Sequence, residues 1–193
     1  MPDLRLQTGW NRESEMTVTV PAVHHVLIID DSKEFTDTAC TILASNLPDT
    51  LVTGCYSGSE AIRILQEKQE TPIDCIVMDL VLPCRKGGDL LGLVLKAAPA
   101  VPIVVVSGYA DRELKTLLLE IGVQAVCLKP ISAEELIATV TDSIARMKYL
   151  SNVVPNRGSL DSAWKKTTEM RNNLDQLIHT TWQVVSRTNQ LAR

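Results

Sequence analysis

Aromatic residues are scarce, at 4% of the 193 positions. The apolar 45% is therefore carried mostly by Leu, Ile, Val and Ala, the residues of buried parallel strands and of the helices that cover them. No apolar run approaches the ~18 residues of a membrane span, and the longest candidates, such as Ile103 to Val106, have the length of single strands. The first residues carry Asp3, Arg5, Arg12, Glu13 and Glu15 where a secretory signal has its apolar core. A cytoplasmic chain with no membrane partner is expected. The five cysteines, Cys40, Cys55, Cys75, Cys84 and Cys127, form neither a C-x-x-C pair nor a zinc-site spacing, and an odd number completes no disulfide framework. They read as small hydrophobes in a reducing compartment. No Gly-rich loop follows the first strand-like run, which disfavours a nicotinamide or nucleotide enzyme.

The length leaves room for one ordinary domain and a short extension. The net charge of −4 is unevenly spread. Residues 1–150 hold 13 Lys and Arg against 20 Asp and Glu, a balance of −7, whereas residues 151–193 hold 6 against 3, a balance of +3. The sign changes where the expected organisation changes: a flexible leader over 1–23, a domain over 24–150, a linker over 151–158 and an amphipathic helical tail over 159–193.

From Val26 the pattern becomes regular. Short apolar runs at Val26 to Ile29, Leu51 to Tyr56, Cys75 to Met78, Pro102 to Val106 and Ala125 to Leu128 alternate with segments of helical spacing. The helices are expected from Phe35 to Pro48, Ser59 to about Glu67, Gly88 to Ala97, Arg112 to Ile121 and Ala133 to about Tyr149. His24 and His25, just ahead of the first strand, read as exposed boundary residues. Strict alternation with strands apolar nearly throughout predicts an α/β fold with a parallel sheet covered on both faces. Right-handed crossovers lead to a doubly wound, flavodoxin-like five-stranded sheet of order 2-1-3-4-5 plus a C-terminal helical tail. Its ligand crevice lies at the carboxyl ends of strands 1 and 3.

The residues at those ends are acidic. Strand 1 runs into Asp30 and Asp31 and strand 3 into Asp79, so the topology gathers three carboxylates from separate parts of the chain. Two like charges ~4 Å apart repel by ~4 kcal/mol at an effective dielectric of ~20, and a cation must compensate. Lys129, ending strand 5 on the same rim, is one; a hard divalent ion such as Mg²⁺ is another. A carboxylate beside both is equipped for phosphoryl transfer, with Asp79 as nucleophile and the Ser107 hydroxyl as a donor to a phosphoryl oxygen. The adjacent acids could instead cap the following helix; their company at matching strand ends favours the site reading.

In order along the chain, VLIIDDS, IVMDLVLP followed by Gly87, VVVSGYA and CLKP make the block from about His25 to Lys148 resemble the receiver domain of bacterial two-component response regulators. The resemblance implies that Asp79 accepts phosphate from the phosphohistidine of a sensor histidine kinase or a phosphotransfer protein. It implies that Asp30, Asp31 and Asp79 hold Mg²⁺, with Asp31 the direct ligand of the acidic pair and the main-chain carbonyl of Val81 completing the site. Ser107 and Lys129 would bind the phosphoryl group, and the Lys129–Pro130 bond would be cis. Self-transfer of phosphate would be the chain's own chemistry, so no turnover enzyme is expected. A haloacid-dehalogenase-like phosphatase would place its nucleophile at the end of strand 1 in a D-x-D arrangement, whereas here the acids are adjacent.

The chain departs from the family pattern three residues before the lysine, where the usual switch aromatic is Val126. A Ser107-centred switch with altered coupling across helix 4 and strand 5 is expected, with Tyr109 as the side chain to fill the gap. In the tail, Ala163, Met170, Leu177, Val184 and Leu191 share one heptad register, and Trp164, Ile178 and Val185 widen the stripe. This suits docking on the receiver, a downstream protein partner or self-association through 159–193. Trp164 and Trp182 add hot-spot residues, and His179 reads as a plain surface or interface residue. The alternative is a transcriptional regulator whose short helical tail binds DNA as a dimer, against which the modest +3 and the spread of its basic residues count.

In the family, the residues two after the nucleophile and two after the serine flank the path of attacking water. Here they are Val81 and Tyr109, neither suited to orient water. Slow loss of phosphate is expected; decay within seconds, followed on the isolated phosphorylated chain, would defeat that expectation.

Overall fold

The computed structural model describes residues 24–68, 70–82 and 87–153. The expected leader, the tail with Trp164, His179 and Trp182, most of the linker, and Cys84 lie outside the described residues. The elements in order are β1 (His24–Ile29), α1 (Lys33–Asn46), β2 (Thr50–Cys55), α2 (Gly58–Gln66) and β3 (Cys75–Met78). They continue with α3 (Gly87–Ala97), β4 (Ile103–Ser107), α4 (Arg112–Glu120), β5 (Ala125–Leu128) and α5 (Ala133–Val153).

The strands form a single sheet of order β2-β1-β3-β4-β5, every neighbouring pair parallel. This is the expected doubly wound α/β fold. Its two faces follow from the two-residue period of a strand. Leu27, Ile29, Ile76, Met78, Ile103, Val105 and Val126 point to one side, where they meet Ala61 and Ile64 of α2, Leu90, Leu91 and Val94 of α3, and Leu114 and Leu118 of α4. Val26, Ile28, Cys75, Val77, Val104, Val106 and Cys127 point to the other, against Ala39 and Leu43 of α1 and Leu136, Val140 and Ile144 of α5. Helices cover both faces, so the central strands have no polar face to show and their near-continuous apolar runs are explained.

The helix starts are set by short polar side chains. Ser32 Oγ accepts from Phe35 N–H, Ser57 Oγ from Glu60 N–H and Asp111 Oδ1 from Leu114 N–H, each satisfying an otherwise orphaned donor. At the far end of α4, Gly122 takes a φ of 101°, and Val123 N–H reaches back to Leu118 O at 3.0 Å. A β-carbon is disfavoured in that left-handed geometry, which is why glycine closes this helix.

Two readings of the sequence need correction. β1 begins at His24, and His25 is buried at 3% exposure. Its ring is satisfied at both nitrogens, with Nδ1 2.9 Å from Thr71 O and Nε2 2.8 Å from Thr53 Oγ1, so a polar side chain is accommodated inside. At the other end, α5 runs on through Ser151 to Val153 rather than giving way near Tyr149. No helix-breaking proline or glycine stands between Ala133 and Val153.

α1 lies so close to β2 that a β-carbon on Gly54 would stand 2.6 Å from Thr36 Cγ2 and 3.0 Å from Cys40 Sγ. Thr36 is fully buried and cannot swing aside. Gly54→Ala should therefore destabilise the fold by about 1–3 kcal/mol through overpacking, read as a lower denaturant midpoint at unchanged slope.

Candidate functional site

The carboxyl ends of β1 and β3 sit side by side because the two strands pair directly, with Ile29 opposite Met78. The next residue of each is an aspartate. Asp79 N–H bonds to Ile29 O at 2.9 Å and Asp30 N–H to Cys55 O at 3.1 Å, so both acids are held by continued sheet pairing. Thr36 Oγ1 donates to Asp30 O at 3.1 Å, and Ser32 N–H donates to Asp30 Oδ1 at 2.9 Å. Val81 N–H does the same for Asp79 Oδ1 at 2.9 Å. Each of these two carboxylates thus has one oxygen fixed by a local backbone donor.

The remaining oxygens share one cation. Lys129 Nζ lies 2.5 Å from Asp30 Oδ2 and 2.6 Å from Asp79 Oδ2. Asp30 and Asp79 are buried, at 1% and 7% exposure, and Asp31 stands exposed at the rim. A carboxylate oxygen of each of the three lies within 4.8 Å of the other two. Burial pushes the Asp30 carboxyl above the ordinary carboxylate range, and the hydrogen bond from Lys129 offsets this only in part. Burial acts to lower the Lys129 ammonium, but its bonds to Asp30 and Asp79 outweigh that and raise it. One ammonium against three carboxylates leaves a surplus of negative charge. An oxygen-only donor set of this kind fits a hard divalent cation.

Ser107, also fully buried, ends β4, and its carbonyl accepts the Lys129 N–H at 2.9 Å. The chain turns directly after the lysine at a cis Lys129–Pro130 bond. Asp30, Asp31, Asp79, Ser107 and Lys129 therefore stand at neighbouring strand ends, with Val81 two residues beyond Asp79. Val126 is nearly buried in the core between β5 and α4. Tyr109 is 38% exposed, with its hydroxyl donating to Asp111 Oδ2 at 3.1 Å. Two contacts escaped the sequence reading. Phe35, read there only as the start of the first helix, has its ring centroid 4.4 Å from Lys129 Nζ, and Thr36 Oγ1 donates to the Asp30 carbonyl. Their positions in the first turn after the acidic pair were the available signal. Cys55 meets this site only through its main-chain carbonyl, and burial pushes the thiols of Cys55 and Cys75 up to about 12.

The sequence profile of the response regulator receiver domain matches residues 26–141. The chain belongs to that family. The receiver resembles the DNA-binding response regulator MtrA of Mycobacterium tuberculosis, at 31% identity over 121 residues that cover 63% of this chain and 50% of that protein. It is also similar to the uncharacterized transcriptional regulatory protein YesN of Bacillus subtilis, at 24% identity over 156 residues, 80% of this chain and 39% of that one. The chain thus spans half or less of the length of these relatives. Among solved structures, a response regulator receiver domain protein from Clostridium thermocellum superposes with a TM-score of 0.59 at 25% identity, covering 66% of this chain and 99% of that one. Among the described residues of the receiver, no helix is long and apolar enough to cross a membrane.

The raised lysine has a consequence for stability. Its stabilising contribution is complete below the ordinary lysine value of 10.5 and is lost as pH rises through the higher native value. Lys129→Met should cost about 1–3 kcal/mol at pH 7 by leaving two buried carboxylates without their donor. In metal-free urea titrations at stepped pH, the gap between the two chains should narrow above pH 10.5.

Proposed function

We propose that the chain is a phosphorylation-controlled switch in which Asp79 accepts a phosphoryl group from the phosphohistidine of a sensor histidine kinase or a phosphotransfer protein. The observation that carries this reading is the Lys129 ammonium held between Asp30 and Asp79 at 2.5 and 2.6 Å, with Asp31 beside them. A carboxylate oxygen of Asp79 attacks phosphorus while the donor's N–P bond breaks; the products are an aspartyl phosphate and an imidazole that takes up a proton. Such transfer depends on positioning and on neutralising the oxygens of the moving group. Mg²⁺, with Asp30, Asp31, Asp79 and the Val81 carbonyl as its ligands, would supply part of that neutralisation when bound.

The chain's own groups supply the rest. Ser107 and Lys129 are placed at the ends of β4 and β5 to donate to phosphoryl oxygens. Asp30, fixed by Ser32, Thr36 and Cys55, keeps the acidic pair in register with Asp79. Phosphate then biases a conformational equilibrium through Ser107. Val126 is already packed inward, so the response differs from that of receivers with an aromatic there. Tyr109, exposed and with its hydroxyl donating to Asp111, offers no base to an attacking water, which suits slow hydrolysis. Self-phosphorylation is the whole of the chain's chemistry in this reading, in a cytoplasmic setting, and the output passes through protein contacts or self-association of residues 159–193. The likeness to MtrA, a DNA-binding response regulator, and to YesN, a transcriptional regulatory protein, supports a second reading, a regulator whose tail binds DNA as a dimer; a salt-sensitive shift with promoter DNA would select it.

Asp79→Asn should abolish incorporation of phosphate from acetyl phosphate and Mg²⁺, followed by intact mass, while Ser107→Ala should slow it. Undiminished incorporation in Asp79→Asn would overturn the assignment.

A further inference from the structure

Phe35 is the single phenylalanine of the chain and lies in the first turn of α1. Its N–H is engaged by the Ser32 cap at 3.3 Å, and its side chain is half-buried against the apolar layer that α1 and α5 share. The ring centroid is 4.4 Å from Lys129 Nζ, inside the ~6 Å reach of a cation–π contact. We propose that Phe35 is a positioning residue for Lys129, its ring holding the ammonium where it meets the phosphoryl group on Asp79. This inference rests on the reading of Asp79 as phosphoacceptor.

The physical reason lies in what the ammonium's other partners become. Lysine carries its charge on a flexible four-carbon stem, and ordering that stem costs rotamer entropy. Asp30 Oδ2 and Asp79 Oδ2 order it before transfer, but Asp79 cannot serve unchanged afterwards, because one of its oxygens then carries phosphorus and the group is no longer a carboxylate anion. The ring face is a partner whose charge distribution is the same before and after the reaction. It is also uncharged, so it attracts the ammonium without adding to the surplus of negative charge around Asp30, Asp31 and Asp79. Leucine at this position would fill much of the same apolar space and lack the attracting face.

The test uses the full-length chain. In the wild type, the ε-methylene protons of Lys129 should lie upfield of those of exposed lysines in NMR spectra, because they sit over the ring. Phe35→Leu should return them to ordinary positions and slow phosphorylation by acetyl phosphate and Mg²⁺ about three- to tenfold. Phe35→Tyr, which keeps the ring face, should restore both. Equal rates in the wild type and Phe35→Leu overturn the inference and leave the Asp79 reading standing; a Phe35→Tyr chain as slow as Phe35→Leu does the same. Should Phe35→Leu fail to fold, ordinary Lys129 ε-proton positions in the wild type overturn it unaided. A wild-type chain that takes up no phosphate overturns both readings.

Discussion

One ammonium shared by two buried carboxylates holds the functional end of this molecule together. Lys129 is 99 residues from Asp30 and 50 from Asp79 in the chain, and its two ion pairs join the carboxyl ends of β5, β1 and β3. Burying two acidic side chains this close together is costly without a positive partner between them. One ammonium does not balance three acids, and an oxygen-only cluster of this kind has the chemistry to hold a further cation. Structure and chemistry here have one cause: carboxylates gathered more densely than the protein's own positive charge can balance.

The parallel sheet makes that crowding possible. All strands point the same way, so their carboxyl ends line one rim, and the order β2-β1-β3-β4-β5 sets β1 and β3 in contact where the helices on the two faces diverge. Buried apolar layers lie above and below the sheet, and the polar groups are gathered at its rim. Backbone donors do much of the holding. The N–H groups of Ser32 and Val81 fix one oxygen each on Asp30 and Asp79, leaving the other oxygens to Lys129.

The opposite rim has a different character. His24 Nδ1 lies 3.3 Å from Asp74 Oδ2, and Lys148 Nζ donates to His24 Nε2 at 3.0 Å, tying the start of β1 to the last turns of α5. His25, beneath it, bonds to Thr71 and Thr53. These contacts lie at the amino-terminal ends of β1 and β3, on the side of the sheet away from the acidic cluster.

Much of this was legible in the linear order of residues. The five-fold alternation of strand and helix followed from short, nearly continuous apolar runs, as strands buried on both faces require, set between segments of helical period. Asp30, Asp31, Asp79, Ser107 and Lys129 could be placed on one rim because each closes a strand or lies within two residues of its end, and strand direction in a parallel sheet sets those ends together. The burial of His25 was not legible, since it depends on Thr53 and Thr71 arriving from distant segments to satisfy both ring nitrogens. The same holds for the ring of Phe35 against Lys129 and for Thr36 against the Asp30 carbonyl. Periodicity assigns a side chain to a face, whereas a contact needs distances between residues far apart in the chain, and only the packed tertiary structure sets those.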